Sequence, residues 1–336
     1  MAGGLIPGSP VFLAGAGPLL GWGFARNHPD LADVFRLEGN PNDRYFYRYD
    51  GEWQRLQSED VPIAVRFFGP LRFVYRREVL RSVHGPVIRN ASGLYAVRYA
   101  GMDDVRGAEA FYRLNRARDY AGFAAVLADG AIPSLDFVFA ARNGQIAHIY
   151  NGAFPDRAQG NDWSLPVAGN NSALVWKASL PFTALPKTVS PGSNFVISAG
   201  ASPYRATAAP FNPAPESFPP AMGIETAMTN RSERALDLLS ADRSISADDF
   251  KAVKFDTCYA SESEFAQIVK DMGARNYAGD PVLEEAGEML RRYNLCTNLQ
   301  NRSAALALLA AAPILKARAS GFAPPDSIRS EEHTSE

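Results

Sequence analysis

Asp50-Gly51 and Asn143-Gly144 narrow the fold more than any other feature of this chain. Asp-Gly and Asn-Gly tolerate the positive φ angles that tight hairpin loops need, so each pair flanked by strand-like runs marks a hairpin. The first turns "DRYFYRYDGEWQRL" and the second turns "LDFVFAARNGQIAHIYNG". Between them, "VPIAVRFFGPLRFVYRREVL" and "GPVIRNASGLYAVRYAG" continue with β-branched and aromatic residues, which suit a pleated surface. Short connections of this kind join antiparallel strands. One segment interrupts them, "AEAFYRLNRARDYAGFAAVLAD", which reads as a single helix.

Met1 to Ala25 carries no charged side chain, but Gly3, Gly4, Pro7, Gly8, Pro10, Gly15, Gly17 and Pro18 forbid a continuous helix there. No basic stretch precedes it, so neither a signal nor a membrane segment is read, and "PVFLAG" is expected as a buried strand between turns. Ala153 to Pro220 is rich in Pro, Gly and Asn and is expected to be irregular. Helical signals follow. Thr229 precedes "NRSERALDLL", Ser246 and Asp249 form a capping-box variant, Asp280-Pro281 places an N-cap before a first-turn proline, and "SAALALLAAAPIL" closes the series. Hairpins first and helices later predict an α+β fold, with a β-rich part over 1–228 and a helical part over 229–320 packed on it. "RSEEHTSE", Arg329 to Glu336, back-translates to a common sequencing-library adapter and is expected to be an artefact of read-through, which deprives His333 of meaning.

A net charge of −2, with 21% charged and 46% hydrophobic residues, describes a soluble globular chain without the basic excess that a nucleic-acid binder needs. Cys258 and Cys296 are too few for a disulfide framework and fall where the sequence reads helical, so two buried thiols are expected.

Few residues announce chemistry. "GAGPLLG" has the wrong spacing for a dinucleotide fingerprint, and Pro18, Gly21, Gly23 and Pro29 deny it the helix that would hold a pyrophosphate. His28, His84, His148 and His333 form no ligand pair at helical spacing, and there is no G-x-S-x-G elbow. Scattered carboxylates such as Asp136 and Glu225 could form a glycosidase pair, but nothing in their spacing singles them out, and they read as solvated surface carboxylates. Asp30 and Asp33, three apart on a loop, can converge on a hard cation or stay solvated. The residues alone lead to an α+β domain with a glycine-rich wall.

Six segments in order resemble the C-terminal (β) chain of the penicillin acylase family of N-terminal-nucleophile hydrolases. They are "PGSPVFLAGAGPLLGWGFARNHPDLADVF", "YRYDGEWQRL", "RSVHGPVIRN", "FVFAARNGQIAHIYNGAFPDRAQGNDWSLPVAG", "LPFTALPKTVSPGSNFVISAGASPYRAT" and "GIETAMTNRSERALDLL". The resemblance covers about Gly8 to Leu239 and is closer to the broad acylase group that includes acyl-homoserine lactone acylases. It implies an αββα sandwich of antiparallel sheets, of which this chain is an incomplete fragment. It also implies amide hydrolysis by a serine at an N-terminus made by autocleavage, with the free α-amine as its base.

By the same resemblance, the Trp22-Gly23 turn presents the Arg26 N–H to the oxyanion, Gly200 stands at the family's oxyanion asparagine, and Arg231 orients that amide. Ala14, Phe24 and Leu135 would line the acyl pocket, and His84 in "HGPVI" is a structural residue. Asp30 and Asp33 correspond to calcium ligands in some members, so a structural Ca²⁺ is the one ion implied, and the chemistry requires no cofactor. The implied partners are an N-acylated small molecule and the α-chain of the same precursor, with no nucleic acid and no membrane span. The precursor would be periplasmic or secreted. The nucleophile and the α-chain are expected to lie upstream of this chain. Three departures stand out: the absent nucleophile, Gly200 in place of asparagine, and Asp136 and Ala141 where Asn and Asp are usual. A catalytically degenerate paralogue is therefore the alternative to an active acylase.

Overall fold

The computed structural model describes residues 1–102, 104–241 and 244–319, so the expected adapter-derived tail and His333 lie outside the described residues. Ten strands come first: β1 (Ala2–Gly4), β2 (Ala14–Ala16), β3 (Leu20–Ala25), β4 (Ala32–Leu37), β5 (Phe46–Tyr49), β6 (Glu52–Arg55), β7 (Gln57–Phe68), β8 (Leu71–Ser82), β9 (Gly85–Asn90) and β10 (Gly93–Tyr99). Helices α1 (Gly107–Arg116) and α2 (Tyr120–Ala128) precede β11 (Ser134–Ala141), β12 (Ile146–Gly152), β13 (Val167–Ala168) and β14 (Lys187–Val189). The chain then turns helical, with α3 (Asn230–Ala241), α4 (Ala247–Lys254), α5 (Glu264–Ala274), α6 (Pro281–Arg291) and α7 (Ser303–Ala319). It divides into two compact units, Met1–Thr226 and a second beginning at Ala227.

Two six-stranded sheets build the first unit, in the orders β1-β2-β3-β11-β12-β14 and β13-β4-β10-β9-β8-β7. Their pairings are antiparallel apart from the short parallel contact of β13 with β4. Both hairpins form as the turn chemistry requires. Asp50 (φ 46°) and Gly51 (φ 86°) both adopt positive φ between β5 and β6. Between β11 and β12 only Gly144 does (φ 86°), in a longer loop closed by the Ala141 N–H on the Gln145 carbonyl at 2.8 Å.

One face of the first sheet is apolar and covered by α1 and α2. Leu20, Trp22, Phe137, Phe139 and Ile149 pack there against Leu114, Phe123 and Leu127. The second sheet buries Phe35, Leu37, Leu80 and Leu94 with Tyr47, Leu56 and Trp163. His84 is fully buried at the turn between β8 and β9, where its ring stacks on Phe35 and its Nε2 lies 2.9 Å from the Gly169 carbonyl. Beyond this core the 12-residue strands β7 and β8 are largely uncovered, with Phe67 85%, Phe68 77% and Phe73 65% exposed.

Four expectations need correcting. "PVFLAG" enters a strand only at Ala14, because Asn115 takes up both backbone groups of Phe12 and holds that stretch by its side chain. The single helix over 108–129 is two, since Asp119 leaves the helix and accepts the Gly122 N–H to cap α2. Trp22-Gly23 is not a turn but the middle of β3. Cys258 and Cys296 are not free thiols. They lie outside the helices, face each other across an isolated bridge between segments after α4 and α6, and form a disulfide.

Within the second unit, Phe265, Ile268, Leu290, Tyr293 and Ala307 bind α5, α6 and α7 into a small core. The capping signals read from the sequence work as expected. Ser246 and Asp249 exchange both bonds of a capping box, and Asp280 accepts the N–H groups of Val282 and Leu283. Among the described residues no helix is long and apolar enough to cross a membrane.

Candidate active site

The backbone of β3 decides what its end can offer a substrate. The Arg142 N–H donates to the Leu19 carbonyl at 2.8 Å, next to the Leu20↔Ala141 pairing, and the Gly17 N–H donates to the Leu20 carbonyl at 2.8 Å. Antiparallel bonding alternates along a strand, so Gly21, Gly23 and Ala25 point their backbone groups at β11 while Trp22, Phe24 and Arg26 point theirs toward β2. β2 pairs with β3 only through Gly21 and Trp22. The backbones of Phe24 and, just after β3, of Arg26 therefore extend past its end, and among the described residues no strand pairs with them on that side. This is how a strand presents a main-chain donor without any side-chain chemistry.

Gly200 lies against this same point. A Cβ added to it would stand 3.0 Å from the Arg26 carbonyl oxygen, and its φ of 68° is a left-handed conformation that glycine adopts freely. The segment is tied down beside it, with the Ser198 hydroxyl donating to the Asp136 carbonyl at 2.8 Å and Ser202 buried. Two residues far apart in sequence are thus brought together at the end of β3.

Alternation also sorts the expected pocket residues. Phe24 pairs with Phe137, so both share the helix-covered face, where Phe24 lies 5.8 Å from the Phe137 ring and 6.2 Å from Phe111. Leu135, two residues before Phe137, joins the same cluster. Ala14 does not. Gly15 pairs with Trp22 and shares its face, which puts Ala14 on the opposite one with Ala16, Gly21, Gly23 and Ala25. That row of small residues is the glycine-rich wall. At Gly23 an added Cβ would meet only Val138, at an ordinary 3.7 Å.

On the wall's own face, β11 and β12 carry a buried polar cluster that sequence reasoning missed. Asp136 and His148, each 1% exposed, approach to 2.6 Å between Oδ1 and Nε2. Tyr150 donates to Glu225, whose other oxygen accepts the His28 N–H at 3.1 Å. Asn27, directly after Arg26, donates to the Asn151 carbonyl at 2.9 Å and accepts the Ser134 hydroxyl at 2.6 Å. Asp136 and Glu225 are therefore not solvated surface carboxylates. Burial pushes the Glu225 carboxyl above its ordinary value, and the nearby Asp136 adds to that rise. The available signal was the alternation of Asp136 with Phe137 on one strand and of His148 with Ile149 on the next, which sends polar and apolar residues to opposite faces.

Asp30 and Asp33 come together, but around an arginine. Asp33 receives both Nε and Nη2 of Arg157 at 3.0 Å and the Trp176 indole N–H at 2.7 Å. Asp30 lies 3.3 Å from the same guanidinium, whose Nη1 donates to the Ala221 carbonyl. Burial raises the Asp33 carboxyl above its ordinary value, while Arg157 and Trp176 pull it back. Among the described residues no group of three or more His, Cys, Asp or Glu could hold a metal ion. The arrangement does not fit calcium, because the carboxylate oxygens already have a cation between them. Arg231 lies in the second unit, exposed on the first turn of α3, and is not among the residues that the first unit assembles.

A cavity of about 460 Å³ lies elsewhere in the first unit, lined by Arg98, Asp104, Leu127, Trp176, Leu180 and Phe182 among others. None of the expected site residues lines it. Although large cavities are the default place to seek a site, the backbone groups that extend past the β2–β3 pairing are the stronger pointer to chemistry.

Comparison with known proteins agrees with this placement of the fold. Escherichia coli penicillin G acylase is 26% identical over 58% of this chain and 23% of its own length. Acyl-homoserine lactone acylase PvdQ of Pseudomonas putida is 24% identical over 52% of this chain and 25% of its own. Penicillin acylase 2 proenzyme of a Pseudomonas species is 24% identical over 68% and 28%. The chain therefore spans about a quarter of the length of these curated relatives. The solved thermostable penicillin G acylase from Alcaligenes faecalis superposes with a TM-score of 0.68 at 18% identity, over 87% of this chain and 51% of that one. That likeness shows the α+β fold of antiparallel sheets and helices expected from the sequence. A family profile described as penicillin amidase matches residues 1–319, and the chain belongs to that family.

Proposed function

We propose that the protein containing this chain hydrolyses the acyl–amide bond of N-acylated small molecules, using an N-terminal serine supplied from outside this chain. The observation that carries this reading is the Arg26 backbone, which lies past the end of the β2–β3 pairing with Gly200 beside it. A backbone donor fixed there can receive the negative charge that grows on a carbonyl oxygen under attack. The serine hydroxyl adds to the carbonyl carbon while the α-amine accepts its proton. The amine leaves with that proton, and water then releases the acyl group by the reverse sequence. No cofactor takes part.

Phe24 and Leu135 favour an apolar acyl group, of the kind found on β-lactams, acyl-homoserine lactones or lipopeptides. The Cys258–Cys296 disulfide supports an oxidising compartment, periplasmic or extracellular. The uncovered apolar faces of β7 and β8 suit burial by the α-chain of the same precursor. A second reading, a catalytically degenerate paralogue, is favoured by Gly200, which has no side-chain donor to complete an oxyanion hole.

The test is to express the complete reading frame that carries this chain, determine the N-terminal residue of the processed product, and assay acyl p-nitroanilides. An N-terminal serine with p-nitroaniline release supports the proposal. A processed serine without hydrolysis of phenylacetyl, octanoyl or longer acyl amides supports the degenerate reading and overturns it.

A further inference from the structure

We infer that Arg157 is the built-in cation of the Asp30–Asp33 loop, so that the segment following Arg26 is fixed by a guanidinium and takes up no calcium. The inference stands on geometry alone and does not depend on which reaction the protein performs.

Arg157 is nearly inaccessible, its side chain 1% exposed, and so is its principal partner Asp33 at 1%. The fork of the guanidinium matches the carboxylate with two parallel bonds, a geometry that a lysine or a spherical ion cannot reproduce. The remaining donor directions are used as well. One amino group reaches Asp30 at 3.3 Å and the other reaches the Ala221 carbonyl, while the charged plane lies 5.7 Å from the Trp163 ring and 5.9 Å from Trp176. The arginine thereby ties three stretches together: the end of the β3–β4 loop with the start of β4, the aromatic segment around Trp176, and the chain at Ala221.

A hard divalent ion wants six to eight oxygen ligands. Here one Asp33 oxygen is shared between Arg157 and the Trp176 indole, the other is bonded to Arg157, and the guanidinium occupies the space between the two carboxylates. A calcium ion would have to displace it and leave a buried arginine unpaired, or sit beside it against a like charge with little solvent to screen them.

Calcium titration of the purified protein by isothermal calorimetry, with melting curves in excess calcium and in EGTA, tests this directly. The expected result is no saturable heat and one Tm in both buffers. Arg157→Met removes the cation and keeps the apolar stem. It should lower Tm by roughly 10 °C, the loss expected from breaking a buried pair in a domain of this size. The carboxylates it leaves unpaired should make Tm respond to calcium, which the unmodified protein does not do. Arg157→Lys, which keeps the charge but loses the fork, should fall between the two and remain indifferent to calcium. Saturable calcium binding with a raised Tm in the unmodified protein would overturn the inference, as would an Arg157→Met variant that melts with the unmodified protein. If Arg157→Met does not fold, the titration of the unmodified protein decides alone.

Discussion

Replacing Gly200 with asparagine should accelerate amide hydrolysis by the processed protein, and the structure sets the size of the effect. One side-chain donor in an oxyanion hole is worth about 2.7–4 kcal/mol of barrier, roughly a hundred- to a thousandfold in rate. The backbone is ready for the change. Gly200 has a φ of 68°, a region in which asparagine is among the best-tolerated L residues. Its new Cβ would stand 3.0 Å from the Arg26 carbonyl, so the neighbour must yield by a few tenths of an ångström. That accommodation, with about 1–2 kcal/mol of left-handed backbone strain, is expected to appear in stability, while the gain appears in kcat with KM little changed. Gly200→Ala is the control, because it carries the same Cβ against the Arg26 carbonyl without the amide. Initial rates on an acyl p-nitroanilide, with KM and kcat separated, decide the matter. Equal kcat for Gly200→Asn and Gly200→Ala would refute the placement of residue 200 in the oxyanion hole.

Other perturbations test the scaffold. Burial raises the Glu225 carboxyl above its ordinary 4.5, so its contribution to stability is complete below pH 4.5 and is lost as pH rises through the folded value. Glu225→Gln should flatten that decline, as thermal melts across acidic and neutral pH would show. Phe123 is fully buried and packs its ring against Trp22, Phe137 and Phe139, so Phe123→Ala should cost about 3–5 kcal/mol in urea unfolding. The Cys258–Cys296 bond spans 38 residues, and its removal by paired serine substitution should lower stability by about 4 kcal/mol, read by denaturation of the oxidised protein against the variant. Asp119→Ala should cost about 1 kcal/mol through loss of the α2 cap.

What the sequence could reveal followed the range of the interaction. Hairpins and caps depend on a few neighbouring residues, and Asp50-Gly51, Ser246 with Asp249, and Asp280-Pro281 were legible for that reason. Asp119 was legible in principle, but the apolar residues on either side of it suggested one continuous helix. The disulfide was hidden, because Cys258 and Cys296 meet through the packing of two interhelical segments and nothing near either residue reports that contact.

The site divides the same way. Arg26 and Gly200 came from resemblance, and their proximity became visible only in three dimensions. The position of Arg26 past the β2–β3 pairing follows from where β2 stops, a property of strand length rather than of residue type. Asp30 and Asp33 looked like ligands because two carboxylates three apart suggest a cation. The cation turned out to be a side chain over a hundred positions away, beyond the reach of any local pattern.

The most direct measurement is a crystal structure of the processed protein with an acyl-mimicking boronic acid bound covalently to its N-terminal serine. The account predicts one boronate oxygen within about 3 Å of the Arg26 backbone nitrogen, on the side of β3 beyond the end of β2 and next to Gly200. A boronate seated elsewhere, or one whose oxygens find other donors while the Arg26 N–H faces solvent, would contradict it.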